Sequence, residues 1–246
     1  MTTDYNVIAE QYKQCKEHLW RSRIETYSIM KRLGNLEGKK VLDVACGEGF
    51  YARKLRQCGA SEVVGIDLSE SMIRLARDQE SRHPAGIIYR VEDACTESVG
   101  EEFDLAVSAW LLVYARTQTD LVAMCRGLAS RLKSGGRFVT FTGNPELYSF
   151  GDTDYRKYGF SIKLTDHAYE GAPIVWTVYL DNSSFEIENY YLPMTAYETA
   201  LIKAGFHEVQ VHVPEVAPHP QGIDDGAFWL DYLAHPPAVL IECVKR

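Results

Sequence analysis

The sequence lacks the features that mark several large classes of protein. No stretch approaches the ~20 apolar residues needed to cross a bilayer, and the first residues lack the basic, then apolar pattern of a secretory signal. Lysine and arginine number 26 against 34 aspartate and glutamate, and the formal net charge of −8 indicates no surface for a polyanion. These absences predict a cytoplasmic protein that binds neither membranes nor nucleic acids.

Metal-binding and disulfide patterns are missing as well. The six cysteines lie far apart without a CxxC pair, and the seven histidines form no HExxH or HxH set. This spacing favours reduced thiols in a core and predicts that no metal is bound. With 46% hydrophobic and 24% charged residues, the composition is that of an ordinary folded protein, and we expect one domain over residues 1–246, as a monomer or homodimer.

Short β-branched runs alternate with helical periodicity between residues 40 and 142, which predicts an α/β fold with a parallel sheet and helices on both faces. Residues 41–45, 62–66, 87–91, 103–109 and 137–142 are the expected strands, with helices at 50–58, from 69 onward and at 120–132. Residues 1–36 are expected to form a helical lid and 37–144 a ligand-binding core. Residues 145–194 fit an antiparallel cap insertion, with strands near 158–164, 174–180 and 185–192. Residues 195–246 supply two more strands, 208–213 and 238–243, that complete the sheet.

The glycine-rich segment after the first strand carries the strongest chemical signal. The run from Gly47 to Ala52 fits GxGxxA, which brings backbone close to a ligand in both nicotinamide-binding and adenosyl-binding folds. A dinucleotide pyrophosphate needs positive potential at this turn, whereas Asp43 and Glu48 flank the glycines. Carboxylates suit a cationic ligand such as S-adenosylmethionine, with its ammonium and sulfonium groups. An NAD(P)-dependent oxidoreductase remains the alternative on the same fold.

Two further acids follow later strands. Asp67 lies 20 positions after Gly47, where a carboxylate can accept both ribose hydroxyls of either ligand. Asp93 can accept the exocyclic N–H of adenine, while the backbone N–H of Ala94 serves a ring nitrogen. Either acid could instead be an ordinary turn or capping residue. Because open α/β sheets bind ligands at the carboxyl ends of their strands, we expect the acids and glycines to meet at one site.

Taken together, these motifs resemble the class I S-adenosylmethionine-dependent methyltransferases. The matching segments are residues 42–49, 65–72, 92–94, 103–106 and 132–137, and the resemblance spans about residues 38–142. It implies a Rossmann-like sheet of seven strands whose last strand is antiparallel, with S-adenosylmethionine as cofactor. The residues expected to bind this cofactor are Tyr12, Asp43, Ala45, Gly47, Gly49, Asp67, Leu68, Met72, Asp93, Ala94 and Ala109. More loosely, Gln11-Tyr-Lys, the aromatic insertion and residues 228–243 are similar to small-molecule N-methyltransferases of the toxoflavin (azapteridine) type.

The aromatic side chains outside these motifs suggest what is methylated. We expect a small, planar, heteroaromatic acceptor, methylated at nitrogen or oxygen in secondary metabolism such as antibiotic or toxin biosynthesis. The residues expected to contact it are Trp20, Trp110, Tyr114, Trp176 and Tyr191, although aromatic residues in a strand layer also form cores. His18 and His167 are candidate bases, but methyl transfer does not require one. A non-catalytic S-adenosylmethionine-binding protein is the alternative of another class.

Overall fold

The computed structural model describes residues 5, 12, 14–98, 100, 102–219, 221, 222 and 225–246. Within them lie two sheets. The strands are β1 (Lys40–Val44), β2 (Glu62–Asp67), β3 (Ile88–Val91), β4 (Phe103–Ala109), β5 (Leu132–Gly143), β6 (Phe160–Lys163), β7 (Pro173–Leu180), β8 (Ser183–Tyr190), β9 (Phe206–His212) and β10 (Ala238–Lys245). The larger sheet has the order β3-β2-β1-β4-β5-β10-β9, and the smaller has the order β6-β7-β8.

The large sheet confirms the predicted Rossmann-like architecture. Strands β1 to β5 pair in parallel, and β10 is antiparallel to both of its neighbours, β5 and β9. Strand β1 is central: Val41 pairs with Val63 of β2 on one side and Leu105 of β4 on the other. Its last four residues are all buried, as expected for a parallel strand covered on both faces.

Helices cover both faces of this sheet. They are α1 (Tyr27–Leu33, directly after a π-helical stretch Arg21–Thr26), α2 (Phe50–Gln57), α3 (Glu70–Arg82), α4 (Gln118–Ser130), α5 (Met194–Lys203) and α6 (Gly226–Ala234). Alternate strand residues enter two separate apolar clusters: Val41 packs with α1, α2, α3 and α6, whereas its neighbour Leu42 packs with α4 and α5. The side chain of Ser69 caps α3 by accepting the Met72 N–H, as predicted.

Some boundaries differ from the expected ones. The predicted helix 120–132 ends at Ser130, and β5 begins at Leu132, because the Lys133-Ser-Gly-Gly segment is extended and not a stop. The pairing of β4 with β5 shifts register between Phe103 and Leu105 to accommodate the additional residues. The strand predicted at 208–213 begins earlier, at Phe206. Within it, Glu208 adopts a positive φ of 52° beside a register shift in the pairing with β10.

The small sheet and the N-terminal segment lie at the carboxyl ends of the large sheet's strands. In the small sheet, Trp176 of β7 contacts Trp110, which follows β4, with ring centroids 5.1 Å apart. Trp20 contacts the same Trp110 from the N-terminal segment at 6.2 Å. Of the expected lid, residues 1–4, 6–11 and 13 are outside the described part of the chain, including Gln11 and Lys13 of the Gln11-Tyr-Lys motif.

The described residues hold neither a metal cluster nor a membrane span. Among them, no group of three or more His, Cys, Asp or Glu side chains is placed to bind a metal ion. None of the helices in the described ranges is both long and apolar enough to cross a bilayer. The six cysteines are all free, and four of them are buried.

Candidate functional site

The glycine turn at the end of β1 has an unusual backbone. Ala45, Gly47 and Gly49 adopt positive φ angles of 56°, 56° and 84°. At Gly47 this conformation costs little because no Cβ is present, but for Ala45 it is strained. A Cβ on Gly47 would come no closer than 4.0 Å to another atom, the sulfur of Met72. The turn therefore presents open backbone between β1 and α2, as a ligand approaching closely requires.

Asp67 ties this turn to the end of β2. One carboxylate oxygen, Oδ2, accepts the Gly47 N–H at 2.8 Å, and the other, Oδ1, accepts the Ser69 N–H at 2.8 Å. Burial raises the pKa of Asp67, while these two N–H donors act in the opposite direction. Each oxygen keeps a second lone pair, so the carboxylate can also accept two ribose hydroxyls.

Asp43 lies behind the turn and is unsatisfied. Its side chain is 1% exposed, and Oδ2 has no hydrogen-bond partner among the described residues. Burial raises the pKa of this carboxyl to about 7, although the Ala52 N–H and the Lys16 ammonium lower it. A buried carboxylate oxygen without a donor is costly, and a cationic ligand group would relieve that cost. The residues present therefore fit the ammonium group of S-adenosylmethionine.

A cavity of about 250 Å³ opens beside the turn. Its lining contains most of the residues predicted to bind the cofactor: Tyr12, Ala45, Gly47, Asp67, Leu68, Met72, Asp93, Ala94 and Ala109. Asp43 is buried behind the lining. Gly49 is also outside it, and a Cβ at that position would overlap the Tyr89 hydroxyl, so packing against Tyr89 accounts for this glycine. Sequence reasoning missed five other lining residues, Tyr5, Glu92, Cys95, Leu111 and Met124.

Trp110 forms one end of the cavity in a strained conformation. Its φ is 67°, which is rare for a bulky residue, and two hydrogen bonds hold it there. The backbone N–H donates to the Phe141 carbonyl at 2.8 Å, and the indole N–H donates to Glu25 Oε2 at 2.7 Å. The ring is therefore fixed at the carboxyl end of β4, where it lines the cavity.

Glu25 is the centre of a buried polar cluster behind Trp110. It is fully buried and accepts hydrogen bonds from Arg21 Nη1 at 2.7 Å and from the Tyr51 hydroxyl at 2.8 Å, besides that from Trp110. Burial alone would raise the pKa of Glu25, but Arg21 and Lys16 outweigh it and the pKa is lowered. Glu25 is thus an ionised anchor whose two oxygens both have donors.

A smaller chamber of about 20 Å³ adjoins the cavity and shares Tyr5, Tyr12, Trp110 and Tyr114 with it. The rest of its wall comes from the N-terminal segment and the small sheet: Trp20, Arg21, Phe160, Trp176, Val178, Ile187 and Asn189. Trp176 stacks on Phe160 with ring centroids 5.1 Å apart. Four of the five residues predicted to contact the acceptor thus meet here.

Tyr191 and the two candidate bases lie elsewhere. Tyr191 packs on Tyr148, with ring centroids 5.0 Å apart, along a separate groove. His18 lies against Gly159 beside the small sheet, where burial lowers its pKa, and it lines neither the cavity nor the chamber. His167 is exposed beside Tyr169. The geometry therefore places neither histidine at the described cavity walls.

Two tyrosine hydroxyls of the cavity, those of Tyr5 and Tyr114, are also poor bases. Tyr5 and Tyr114 hydrogen-bond to each other through their hydroxyls. Burial raises the pKa of both groups well above 10, so they stay protonated at neutral pH. These side chains can position an acceptor and exclude water, but they are not suited to remove a proton from it.

Comparison with known proteins agrees with this geometry. A family model described as a methyltransferase domain matches residues 41–136. N-demethylindolmycin N-methyltransferase of Streptomyces griseus is 30% identical over 188 residues, which cover 74% of this chain and 77% of that protein. Ribosomal protein L11 methyltransferase of Burkholderia ambifaria MC40-6 is 39% identical over 102 residues, but the match covers only 31% of its length. Because this second match covers so little of the relative, it supports the identity of the core and says nothing about the methyl acceptor.

Solved structures share the whole fold. The PH0226 protein from Pyrococcus horikoshii OT3 aligns over 100% of both chains with a TM-score of 0.68 and 21% identity. A DhpI complex with S-adenosylhomocysteine (SAH) aligns over 98% of this chain and 93% of that one, with a TM-score of 0.61 and 18% identity. At these identities the likeness concerns the fold alone.

Proposed function

This chain belongs to the class I S-adenosylmethionine-dependent methyltransferase family and uses S-adenosylmethionine as its methyl donor; we propose that it methylates a small, planar, heteroaromatic molecule at a nitrogen or an oxygen. The observation that carries this proposal is the aromatic wall that the cavity shares with the adjoining chamber. Tyr12, Trp110 and Tyr114 lie in this wall, and Trp20 and Trp176 pack against Trp110 from the chamber side. Flat aromatic walls favour flat aromatic ligands.

The cofactor would lie along the sheet edge. We assign its ammonium to Asp43, its ribose hydroxyls to Asp67 and its adenine to Asp93 with Ala94, since these residues lie at or just beyond the carboxyl ends of the neighbouring strands β1, β2 and β3. Tyr12, Ala45, Gly47, Leu68, Met72 and Ala109 would complete its surroundings. The bound cofactor supplies a methyl group that its positively charged sulfonium already activates.

The remaining work of the chain is alignment and exclusion of water. Trp110 is locked by two hydrogen bonds at the end of β4, and Trp176 closes over it from the small sheet. Holding donor and acceptor in one orientation can supply much of the rate enhancement of such a displacement. Since neither candidate histidine lines the cavity, an acceptor that loses its proton readily to water, or that carries none at the methylated atom, suits this site best.

The named relative supports the same class of acceptor. The enzyme from Streptomyces griseus is described as acting on N-demethylindolmycin at nitrogen, and its match extends over most of both chains. This supports a small-molecule acceptor and a role in secondary metabolism. Membership of a methyltransferase family removes the grounds for an NAD(P)-dependent oxidoreductase.

Product analysis tests the proposal. The protein is incubated with S-adenosylmethionine and a panel of planar heteroaromatic amines and phenols, matched with non-planar amines of similar size, and SAH release and product mass are measured. We expect turnover only among the planar members, with a mass gain of one methyl group. Turnover confined to the non-planar members would contradict the proposed acceptor class. Tight SAH binding without turnover of any acceptor would favour a non-catalytic binding protein.

A further inference from the structure

We propose that Trp20 and Arg21 donate hydrogen bonds to a carbonyl or carboxylate oxygen of the methyl acceptor, an inference that rests on the proposed function. The acceptor would then be a planar ring bearing such an oxygen, which enters the small chamber while the ring stays in the larger cavity.

The starting observation is a set of buried donors without partners. Trp20 Nε1 and Arg21 Nε make no hydrogen bond to any described residue. Their side chains are 3% and 4% exposed, and both line the chamber. Each unsatisfied buried donor carries a desolvation cost, so two of them around one space indicate a missing hydrogen-bond acceptor.

The orientation of these donors is fixed. The Arg21 guanidinium carbon lies 4.6 Å from the centre of the Trp20 ring and 5.4 Å from that of Tyr12. Its Nη1 is bound to Glu25 Oε2 at 2.7 Å, which sets the direction of the planar group. Glu25 does not satisfy the other donors: its oxygens accept from Trp110, Arg21 and Tyr51, and neither Trp20 Nε1 nor Arg21 Nε hydrogen-bonds to it.

The chamber has room for a small polar group but not for an aromatic ring. About 20 Å³ holds roughly one water-sized group. A carbonyl or carboxylate oxygen fits that space, whereas an aromatic ring needs the larger cavity on the other side of Trp110 and Tyr114. Both oxygen types accept hydrogen bonds in the plane of their carbon, where an indole N–H and a guanidinium N–H can converge.

The cofactor's own carboxylate is the other possible source of an oxygen. The chamber wall argues against it, because neither Asp43 nor the two cofactor-side residues Gly47 and Asp67 belong to it. Its far wall is instead built by strands of the small sheet, through Phe160 and Ile187. The donors thus face the side of the site that the proposed function assigns to the acceptor.

Three probes with one ring system test the inference: indole-3-carboxylate, indole-3-carboxamide and 3-methylindole. Their affinities for the SAH-saturated protein are measured by calorimetry. We expect both oxygen-bearing probes to bind at least about ten-fold more tightly than 3-methylindole. Trp20→Phe keeps an aromatic ring but removes the N–H, and it should reduce that preference several-fold without altering SAH affinity. Ile187→Val, on the same wall without a donor, should preserve the preference.

Arg21→Met alone would remove the guanidinium, but it would leave the Glu25 carboxylate buried without the charge of Arg21 beside it. The double variant Arg21→Met, Glu25→Gln removes both charges, and we expect it to lose most of the preference for the carboxylate. If 3-methylindole binds the wild-type protein as tightly as the other probes, the inference is wrong while the proposed function stands. If the variants lose SAH affinity and keep the preference, the donors serve the cofactor and the inference is also wrong. If none of the three probes binds the SAH-saturated protein, the inference is wrong, and turnover in the acceptor panel decides the proposed function separately.

Discussion

Replacement of Asp43 by Asn tests whether the buried Asp43 carboxylate destabilises the cofactor-free protein and strengthens cofactor binding. Because burial raises the pKa of Asp43 from its ordinary 3.8 to about 7, the folded protein favours the protonated carboxyl. The favourable contribution of this group is therefore complete below its unfolded pKa and is lost as the pH rises through about 7. The full difference corresponds to roughly 4 kcal/mol of destabilisation in the cofactor-free protein at alkaline pH.

Asn at this position has the same shape and no charge to bury. Its amide N–H2 would lack an acceptor, which costs about 1–3 kcal/mol at any pH. The pH dependence is therefore the informative quantity. Between about pH 5.5 and about pH 8, the stability of Asp43→Asn relative to the wild type should improve by roughly 2 kcal/mol, or about 4–8 °C in melting temperature. In the wild type, SAH affinity should weaken as the pH falls below about 7, because its ammonium needs the ionised carboxylate.

Thermal melting of both proteins across this pH range, with and without SAH, is the measurement. At about pH 8, Asp43→Asn should bind SAH roughly ten-fold to a hundred-fold more weakly, through loss of a charge-assisted contact. Asp104→Asn is the matched control, since Lys133 lowers the pKa of that surface carboxyl and its effect should not change over the same range. A stability difference between Asp43→Asn and wild type that is independent of pH would refute the reasoning.

Three further outcomes are expected. Asp67→Asn should weaken SAH binding about ten-fold to a hundred-fold, because an amide cannot accept at both oxygens as the carboxylate does; unchanged affinity by calorimetry would contradict this role. Trp176→Ala should cost about 3–5 kcal/mol of stability and raise the acceptor KM, with SAH affinity unchanged; normal melting with lost SAH binding would contradict the assignment of Trp176 to the acceptor side. With a net charge of −8, the protein should not retard duplex DNA at low micromolar concentration in about 150 mM salt, and a shifted band in a gel would overturn that expectation.

The sheet and the cavity at the carboxyl ends of its strands could be predicted from the sequence because their signals are local. Parallel buried strands appear as apolar runs, and a turn must follow each one, so the pattern of the chain alone places Asp67 and Asp93 at strand ends. The topology of an open α/β sheet then brings those ends together. The hydrogen bond from Gly47 to Asp67 realises that expectation, although it joins residues 20 positions apart.

The aromatic chamber could be predicted only in part, because its walls come from segments distant in the chain. Trp20, Trp110 and Trp176 are recognisable in the sequence as large rings without an assigned role, but their convergence depends on how the small sheet docks. Asn189 gives a weak signal, a buried polar residue in a strand that otherwise alternates apolar residues inward. The sequence also made His18 a candidate base, because it is a titratable residue in the expected lid. In the structure its ring lies against Gly159 and does not line the cavity.

Gly49 shows why a motif can be correct while the reason for one of its residues is not. The pattern predicts cofactor contact at both glycines, yet only Gly47 lines the cavity, and Gly49 is required because Tyr89 occupies the space of its missing side chain. A side chain at either glycine would be strained, since both adopt a positive φ, so the pattern alone cannot separate ligand approach from packing.

Trp110 joins the two halves of the site and explains why they are not independent. Its backbone ends β4 within the sheet that positions the cofactor cavity, and its ring forms a wall of both the cavity and the chamber. Its strained φ persists because Glu25, from the N-terminal segment, holds its indole N–H, and the same carboxylate sets the direction of Arg21. A single buried acid thus aligns the sheet side and the lid side of the site. We therefore expect the alignment of two ligands for methyl transfer to depend on the N-terminal segment as well as on the glycine turn.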